Sequence, residues 1–275
     1  MSQNPLQSYF RQPKIYLKLP SLGKYTDPSS ISGTVENLPI FGMTGMDQII
    51  VKTPDALLNG ESTVKIIQSC CPNIINAWDV SNLDIDCLLV AIRIATFGNK
   101  MNVVSSCSAC NAENEYDIDL GKFLEHYASC VFDSTVIVGD LIVKLKPMTY
   151  KSVTTFSLAN FSLQKQLIHI SSMEDGKQKQ DLLGKTFSDF AILQNQVLVD
   201  SIDQIETPNG VVTEFGFIKE WVDNCDQQSV ATIRKKMDEN KESWRVPSSN
   251  AACSSCGHID QLEIELDQSS FFATA

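Results

Sequence analysis

The sequence predicts an α+β protein, in which a small antiparallel sheet drawn from the middle and the end of the chain is interrupted by a mainly helical insertion. Three observations carry this expectation. The stretch CSACNAENEYDIDL, Cys107 to Leu120, is echoed by CSSCGHIDQLEIEL, Cys253 to Leu266, at a constant offset of 146 residues. In each, two cysteines three apart precede apolar residues alternating at period two, the mark of a half-buried strand. Between the two stretches, from 148 to 246, apolar residues recur mostly at helical spacing.

The elements can be taken in order. Prolines 5, 13, 20, 28 and 39 punctuate the first forty residues. Because proline donates no amide and interrupts ladders and helices, residues 1–40 are expected to form an extended arm with one strand-like stretch, KIYLKL. Tyr9, Phe10, Tyr16 and Tyr25 could anchor it on a neighbouring subunit or pack on its own core. Thr44 with Asp47 reads as a helix start, and Pro54 interrupts the helical pattern before Asn59 and Gly60. STVKIIQSCC is helical up to Pro72. Ser81, with Asp84 three residues later, caps the clearest helix, whose apolar Ile85, Leu88, Leu89 and Ile92 run towards Gly98. GKFLEHYAS is a further helix, and TVIV and LIVKL flank Gly139 and Asp140 as a hairpin. Thr149 to Ser172 and Asp181 to Ile205 read as long helices around the loop SMEDGKQKQ. ETPNGVV is a turn in which Asn209 and Gly210 can take positive φ. Helices from Glu214 to Cys225 and Gln227 to Ser243 precede the second cysteine pair. The expected organisation is an arm over 1–40, a core over 41–147 plus 247–275 holding the cysteine site, and a helical insertion over 148–246.

Composition narrows the function classes. Hydrophobic residues are 43% of the 275 and charged residues 20%, enough for a folded core. The most apolar run, LLVAIRIATFG, is too short to span a bilayer, carries Arg93 and comes after Asp84 and Asp86. The start, MSQNPLQSYFRQPK, lacks the apolar centre of a signal peptide, so an intracellular site of synthesis with mostly reduced or metal-bound cysteines is expected. A net charge of −11 opposes attraction to phosphate backbones. The densest basic run, IRKKMDENKESWR, alternates with acids and reads as a solvated helix face.

The cysteines carry the chemistry. Two CxxC pairs suit a tetrahedral metal, because the two-residue spacer lets both thiolates of a pair face one ion. Cys107, Cys110, Cys253 and Cys256 therefore form a candidate split, zinc-ribbon-like site for structural Zn2+, with no open position for water. The 142 residues between Cys110 and Cys253 are unusually many for a ribbon. Closing that loop costs about 4–5 kcal/mol on a chain-entropy account, against the roughly 10–16 kcal/mol that structural zinc supplies in small peptides. Unliganded thiols, a redox pair and an iron–sulfur cluster are the alternatives. Cys70, Cys71, Cys87, Cys130 and Cys225 lack partner spacing and read as buried thiols. His258 reads as a surface residue of the second knuckle, or a donor or substitute ligand beside it. No triad, phosphate loop, GxGxxG or HExxH motif is present, so no catalytic residues and no small-molecule substrate are assigned. Asp117, Asp119, Glu263 and Glu265 alternate with apolar residues and are expected to face solvent together. The competing readings are a zinc-ribbon nucleic-acid-associated accessory protein, which would require a basic stripe near the knuckles, and a thiol oxidoreductase.

Three stretches together carry a resemblance: KIYLKLPSLGKY from Lys14, NLDIDCLLVAIRIATFG running into MNVVSSCSACNAENEYDIDL, and LIVKLKPMTYKS from Leu141. The set resembles the baseplate hub assembly proteins of contractile-tailed bacteriophages of the T-even type. The resemblance implies a non-enzymatic virion structural or assembly role in the tail baseplate, with other phage baseplate and hub proteins as partners and the host cytoplasm as the place of assembly. Related proteins are often written with a second glycine where this chain has Leu22, which implies a different backbone turn here. The expectation of zinc rests on this sequence's own cysteines.

Overall fold

A computed structural model describes residues 4–6, 9–52, 59–264 and 271–272. Contacts divide the chain into two units, one formed by Met1–Cys130 with Trp244–Ala275 and one by Val131–Ser243. The expectations about Pro54, Glu265 and Leu266 lie outside the described residues.

In the first unit, β1 (Pro13–Leu17) pairs antiparallel with β2 (Leu38–Phe41), placing Leu17 opposite Leu38. Leu19, Leu38 and Ile40 are fully buried, so much of the proline-punctuated stretch contributes to its own core. Helix α1 (Gly45–Val51) starts at a reciprocal cap: Thr44 N–H donates to Asp47 Oδ2 at 2.7 Å, and Asp47 N–H donates to Thr44 Oγ1 at 3.2 Å. Helix α2 (Glu61–Cys70) comes next. Helix α3 (Asn82–Phe97) is apolar on nearly every side, with Leu88, Val90, Ala91 and Ile92 at 0% exposure, which makes it the axis around which this unit packs. Gly42 is required where the chain leaves β2, because a Cβ there would meet the Ala95 carbonyl oxygen of α3 at 2.9 Å.

The start of α3 departs from a capping box. Ser81 Oγ accepts from Leu83 N–H at 3.4 Å, but Asp84 turns away from the cap and accepts from Ser21 N–H at 2.9 Å and Ser21 Oγ–H at 2.5 Å, fully buried. It fastens the loop after β1 to α3. In that loop Leu22 takes φ +56° and Gly23 φ +70°, so a left-handed turn forms with leucine in its first position.

Strand β3 (Lys100–Ser106) pairs with β4 (Glu113–Asp119), helix α4 (Gly121–Ser129) comes after them, and near the end of the chain β9 (Ser249–Ala252) pairs with β10 (Ile259–Leu262). This corrects the expectation of one sheet in which the two post-cysteine strands lie side by side. Each CxxC is the turn of its own hairpin, and β4 and β10 pair with the strands that lead into their own knuckles. A turn of a few residues closes at far smaller entropic cost than a pairing across more than a hundred.

The second unit holds an antiparallel sheet in the order β5 (Thr135–Val138), β6 (Leu141–Leu145), β7 (Ile202–Thr207), β8 (Gly210–Val212). Gly139, at φ +59°, makes the expected β5–β6 turn. Helices α5 (Tyr150–Ser171) and α6 (Lys177–Asp200) form a helical hairpin inserted between β6 and β7, while α7 (Phe215–Asn224) and α8 (Gln227–Trp244) come after β8. Val143, Leu145, Leu198, Ile205, Ile218 and Ile233 form the centre of its core. The helix expected up to Ile205 ends at Asp200. The run VLVDSIDQI has no decisive period of its own, and pairing of Ile205 opposite Val143 in β6 makes its second half a strand.

Candidate metal centre

The two knuckles are built alike. In the first, Cys107 N–H donates to Ala112 O at 2.9 Å and Asn111 N–H donates to Cys107 O at 2.9 Å. In the second, Cys253 N–H donates to His258 O at 2.8 Å and Gly257 N–H donates to Cys253 O at 2.9 Å. Asn111 at φ +57° and Gly257 at φ +73° occupy the same left-handed position, one that only glycine and, among side-chain residues, chiefly asparagine or aspartate tolerate.

The hairpins are locked together by reciprocal hydrogen bonds. Ser108 donates from N at 3.2 Å and from Oγ at 2.5 Å to the Asp260 carboxylate. Ser254 donates from N at 2.9 Å and from Oγ at 2.8 Å to Asn114 Oδ1. Under the 146-residue offset, Ser108 falls on Ser254 and Asn114 on Asp260, so the repeat exchanges one contact for the other.

The four sulfurs meet between the two knuckles. Cys107 Sγ lies 3.7 Å from Cys256 Sγ, Cys110 Sγ lies 3.7 Å from Cys253 Sγ, and the four lie within 4.8 Å of one another. Tetrahedral bonds of about 2.3 Å to one ion place thiolate sulfurs roughly 3.8 Å apart, so the donor set has the size and chemistry of a single-ion site. Cys107 and Cys253 are buried, while Cys110 and Cys256 face solvent. Amide N–H groups of Cys256 and Ser255 push the Cys253 thiol down to about 6, and Asn114 Nδ2–H donates to the same sulfur at 3.4 Å. Four thiolates this close repel one another, and a cation is what allows all of them to ionise together. Among the described residues, this is the one cluster of three or more His, Cys, Asp or Glu able to hold an ion.

The remaining candidates lie elsewhere. His258 Nε2 is 3.5 Å from Asp260 Oδ1 and so touches the group that clasps Ser108. Burial pushes Cys70 up to about 12 and Cys71 up to about 11, and Cys87 is buried too. Cys130 and Cys225 are only partly buried. Asp117, Asp119 and Glu263 are exposed, with Asp117 3.5 Å from Lys100 and Glu263 2.5 Å from Arg245. Ser108, Asn114, Ser254 and Asp260 are not among the sequence-predicted site residues, although the repeat that aligns the cysteines aligns them as well.

Fold and site define a mixed helix and sheet protein with a closed four-sulfur cluster. No helix of the described residues is long and apolar enough to cross a membrane. The model of the family described as T4 bacteriophage base plate protein matches residues 11–273, and the chain belongs to that family. No curated protein and no solved structure matches it.

Proposed function

We propose that this chain is a non-enzymatic structural or assembly component of the baseplate hub, binding neighbouring baseplate proteins, with a structural zinc ion on Cys107, Cys110, Cys253 and Cys256. The observation that carries the reading is membership of the base plate family along nearly the whole chain. The finer reading, a role in the hub, is supported by the three stretches that resemble hub assembly proteins.

The metal serves architecture in this reading. Four sulfurs around one ion leave no position for a water nucleophile, and the ion joins the end of the chain to its middle. An iron–sulfur cluster spreads its thiolates over several irons, whereas these sulfurs lie within 4.8 Å of one another. Neither CxxC opens a helix, the setting that favours a reactive thiol in redox proteins. Tyr9, Phe10 and Tyr16, exposed by 83%, 56% and 60%, are available as aromatic anchors for a neighbouring subunit.

A phage lacking this chain should fail to complete its baseplates, and supplying the chain in trans should restore them. Normal tails from the null phage would refute the assembly role. Mass spectrometry of purified particles then separates a resident subunit from one that acts only during assembly in the host cytoplasm. Elemental analysis of the purified chain should return one zinc per chain.

A further inference from the structure

The first unit carries a groove between two strands that do not pair with each other, β4 and β9. Residues 116–119 form one wall, residues 247–251 the other, and the groove holds about 420 Å³. Its apolar lining comes from Ile118, Phe123, Ala251 and Leu262, each no more than 7% exposed.

Strand register shows what the walls offer. Cys107 N–H donates to Ala112 O and Leu120 N–H to Asn99 O, so along the β3–β4 ladder Asn114, Tyr116 and Ile118 turn their backbone groups to β3. Asp117 and Asp119 turn theirs the other way. Cys253 N–H donates to His258 O, so Ser249 and Ala251 bond to β10 while Asn250 turns outward. Among the described residues, the outward amides and carbonyls of Asp117, Asp119 and Asn250 make no backbone hydrogen bond. An apolar lining between two unpaired strand edges is matched by an extended backbone, which donates and accepts on both of its sides. A strand residue fills about 160 Å³, from its ~3.3 Å rise, ~4.8 Å strand spacing and ~10 Å sheet spacing, so the groove has room for about three.

Alternation and charge define the side chains of that backbone. Ile118 is buried while Asp117 and Asp119, on the opposite face of β4, are exposed. A strand laid beside β4 therefore directs alternate side chains to the apolar lining and to these carboxylates. Strand β4 carries four carboxylates and no cation, and β9 carries no charge. Lys122 is the one cationic residue among the described residues that line the groove, and Lys100 lies 3.5 Å from Asp117. Acid remains in excess, so the outward residues of the incoming strand are basic. The net −11 of the chain opposes a second copy of itself and favours a basic segment of another protein.

We infer that the groove between β4 and β9 takes an extended segment of a partner protein, with apolar and basic residues alternating, as an added strand. The inference deepens the proposed binding of neighbouring proteins and rests on that reading for the existence of a partner. Its test uses the isolated full chain, so a failure here leaves the outcome of the null-phage experiment untouched. An acetylated and amidated hexapeptide of alternating valine and lysine should bind with a Kd of about 100 μM or tighter by calorimetry. Successive N–H groups of a strand address opposite edges, so N-methylation of the peptide at its valines, or at its lysines, should each weaken binding at least ~10-fold. Asn250→Pro removes an outward N–H of β9 that the β9–β10 ladder does not use, and should weaken the parent peptide at least ~10-fold with circular dichroism unchanged. If that variant does not fold, the methylated peptides on the unaltered chain decide. Absence of binding up to about 1 mM overturns the proposal, as does equal binding of a valine–glutamate peptide. Undiminished binding of the methylated peptides, or of the parent peptide to folded Asn250→Pro chain, overturns it as well.

Discussion

Asn114 and Asp260 stand 146 residues apart and play the same part, since each accepts hydrogen bonds from the backbone and hydroxyl of the serine inside the opposite CxxC. The cross-bracing is made by side chains on β4 and β10 and acts in addition to any ion between the sulfurs. These braces and the four sulfurs are separate features of the two knuckles, and mutation can tell their contributions apart.

The ion should matter most. Cys107→Ser or Cys256→Ser should abolish stoichiometric zinc and lower the stability of the first unit by about 4 kcal/mol or more, the range reached when a structural metal is lost. Elemental analysis and urea denaturation check this. Chelation of the wild type should have the same effect, reversed by added zinc. A variant that loses zinc without losing stability would show that the ion is not structural.

The braces should be worth less, and unequally. Asn114 is 5% exposed, so Asn114→Ala leaves Ser254 without its acceptor and should cost about 1–3 kcal/mol. Asp260→Asn keeps an acceptor for Ser108 at a position where its counterpart is already asparagine, and should change stability by less than about 1 kcal/mol. Asn114→Asp sets a carboxylate beside the Cys253 sulfur, 3.4 Å from the present amide nitrogen, and should weaken metal binding. Denaturation reads the first two, and competition titration with a chromophoric chelator reads the third.

Leu22 offers a test of backbone strain. At φ +56° a leucine costs on the order of 1 kcal/mol relative to glycine, and its side chain is 51% exposed, so little burial is lost on replacement. Leu22→Gly should raise stability in urea denaturation by up to about 1 kcal/mol, the gain being reduced by the greater freedom of glycine in the unfolded chain.

Two carboxylates on α3 give the first unit a pH dependence. Burial pushes Asp84 up to about 6, against the lowering effect of its bonds to Ser21, and burial pushes Asp86 up to about 6 as well. With folded values above the ordinary 3.8, the native state binds more protons than the unfolded chain between about pH 4 and 6, so stability falls as pH rises through that window. The penalty is fully present above it and absent below it. Asp86→Asn should therefore stabilise at neutral pH by on the order of 1–2 kcal/mol and lose that advantage towards pH 4. Denaturant midpoints measured across the window test the sign.

Much of the fold is legible in the sequence because it is local. The Thr44–Asp47 cap, the helix after Ser81, the Gly139 turn and the helical pattern of α5 each depend on residues within a few positions, where propensity and period act directly. Expectation and structure part where a distant segment chooses the outcome. Asp84 has the spacing of a capping residue, but Ser21, folded over α3, offers it two donors in a buried site. Residues 202–207 have enough apolar content for helix or strand, and the free edge of β6 decides. A shared sheet for the two post-cysteine strands is a natural expectation because SNAA, the strand leading into the second knuckle, carries no alternation to announce itself as the partner of β10.

For the candidate site, the sequence by itself determined the donor set and its two-fold repetition, because CxxC spacing and a constant offset are properties of the chain in one dimension. Tertiary structure decided that the sulfurs meet within 4.8 Å, that Ser108 and Ser254 cross-bond the opposite hairpins, and that each knuckle closes its own pair of strands. The physical reason is range: hydrogen bonds between groups far apart along the chain leave no periodicity in the sequence, and they form only once the rest of the first unit has brought their two ends together.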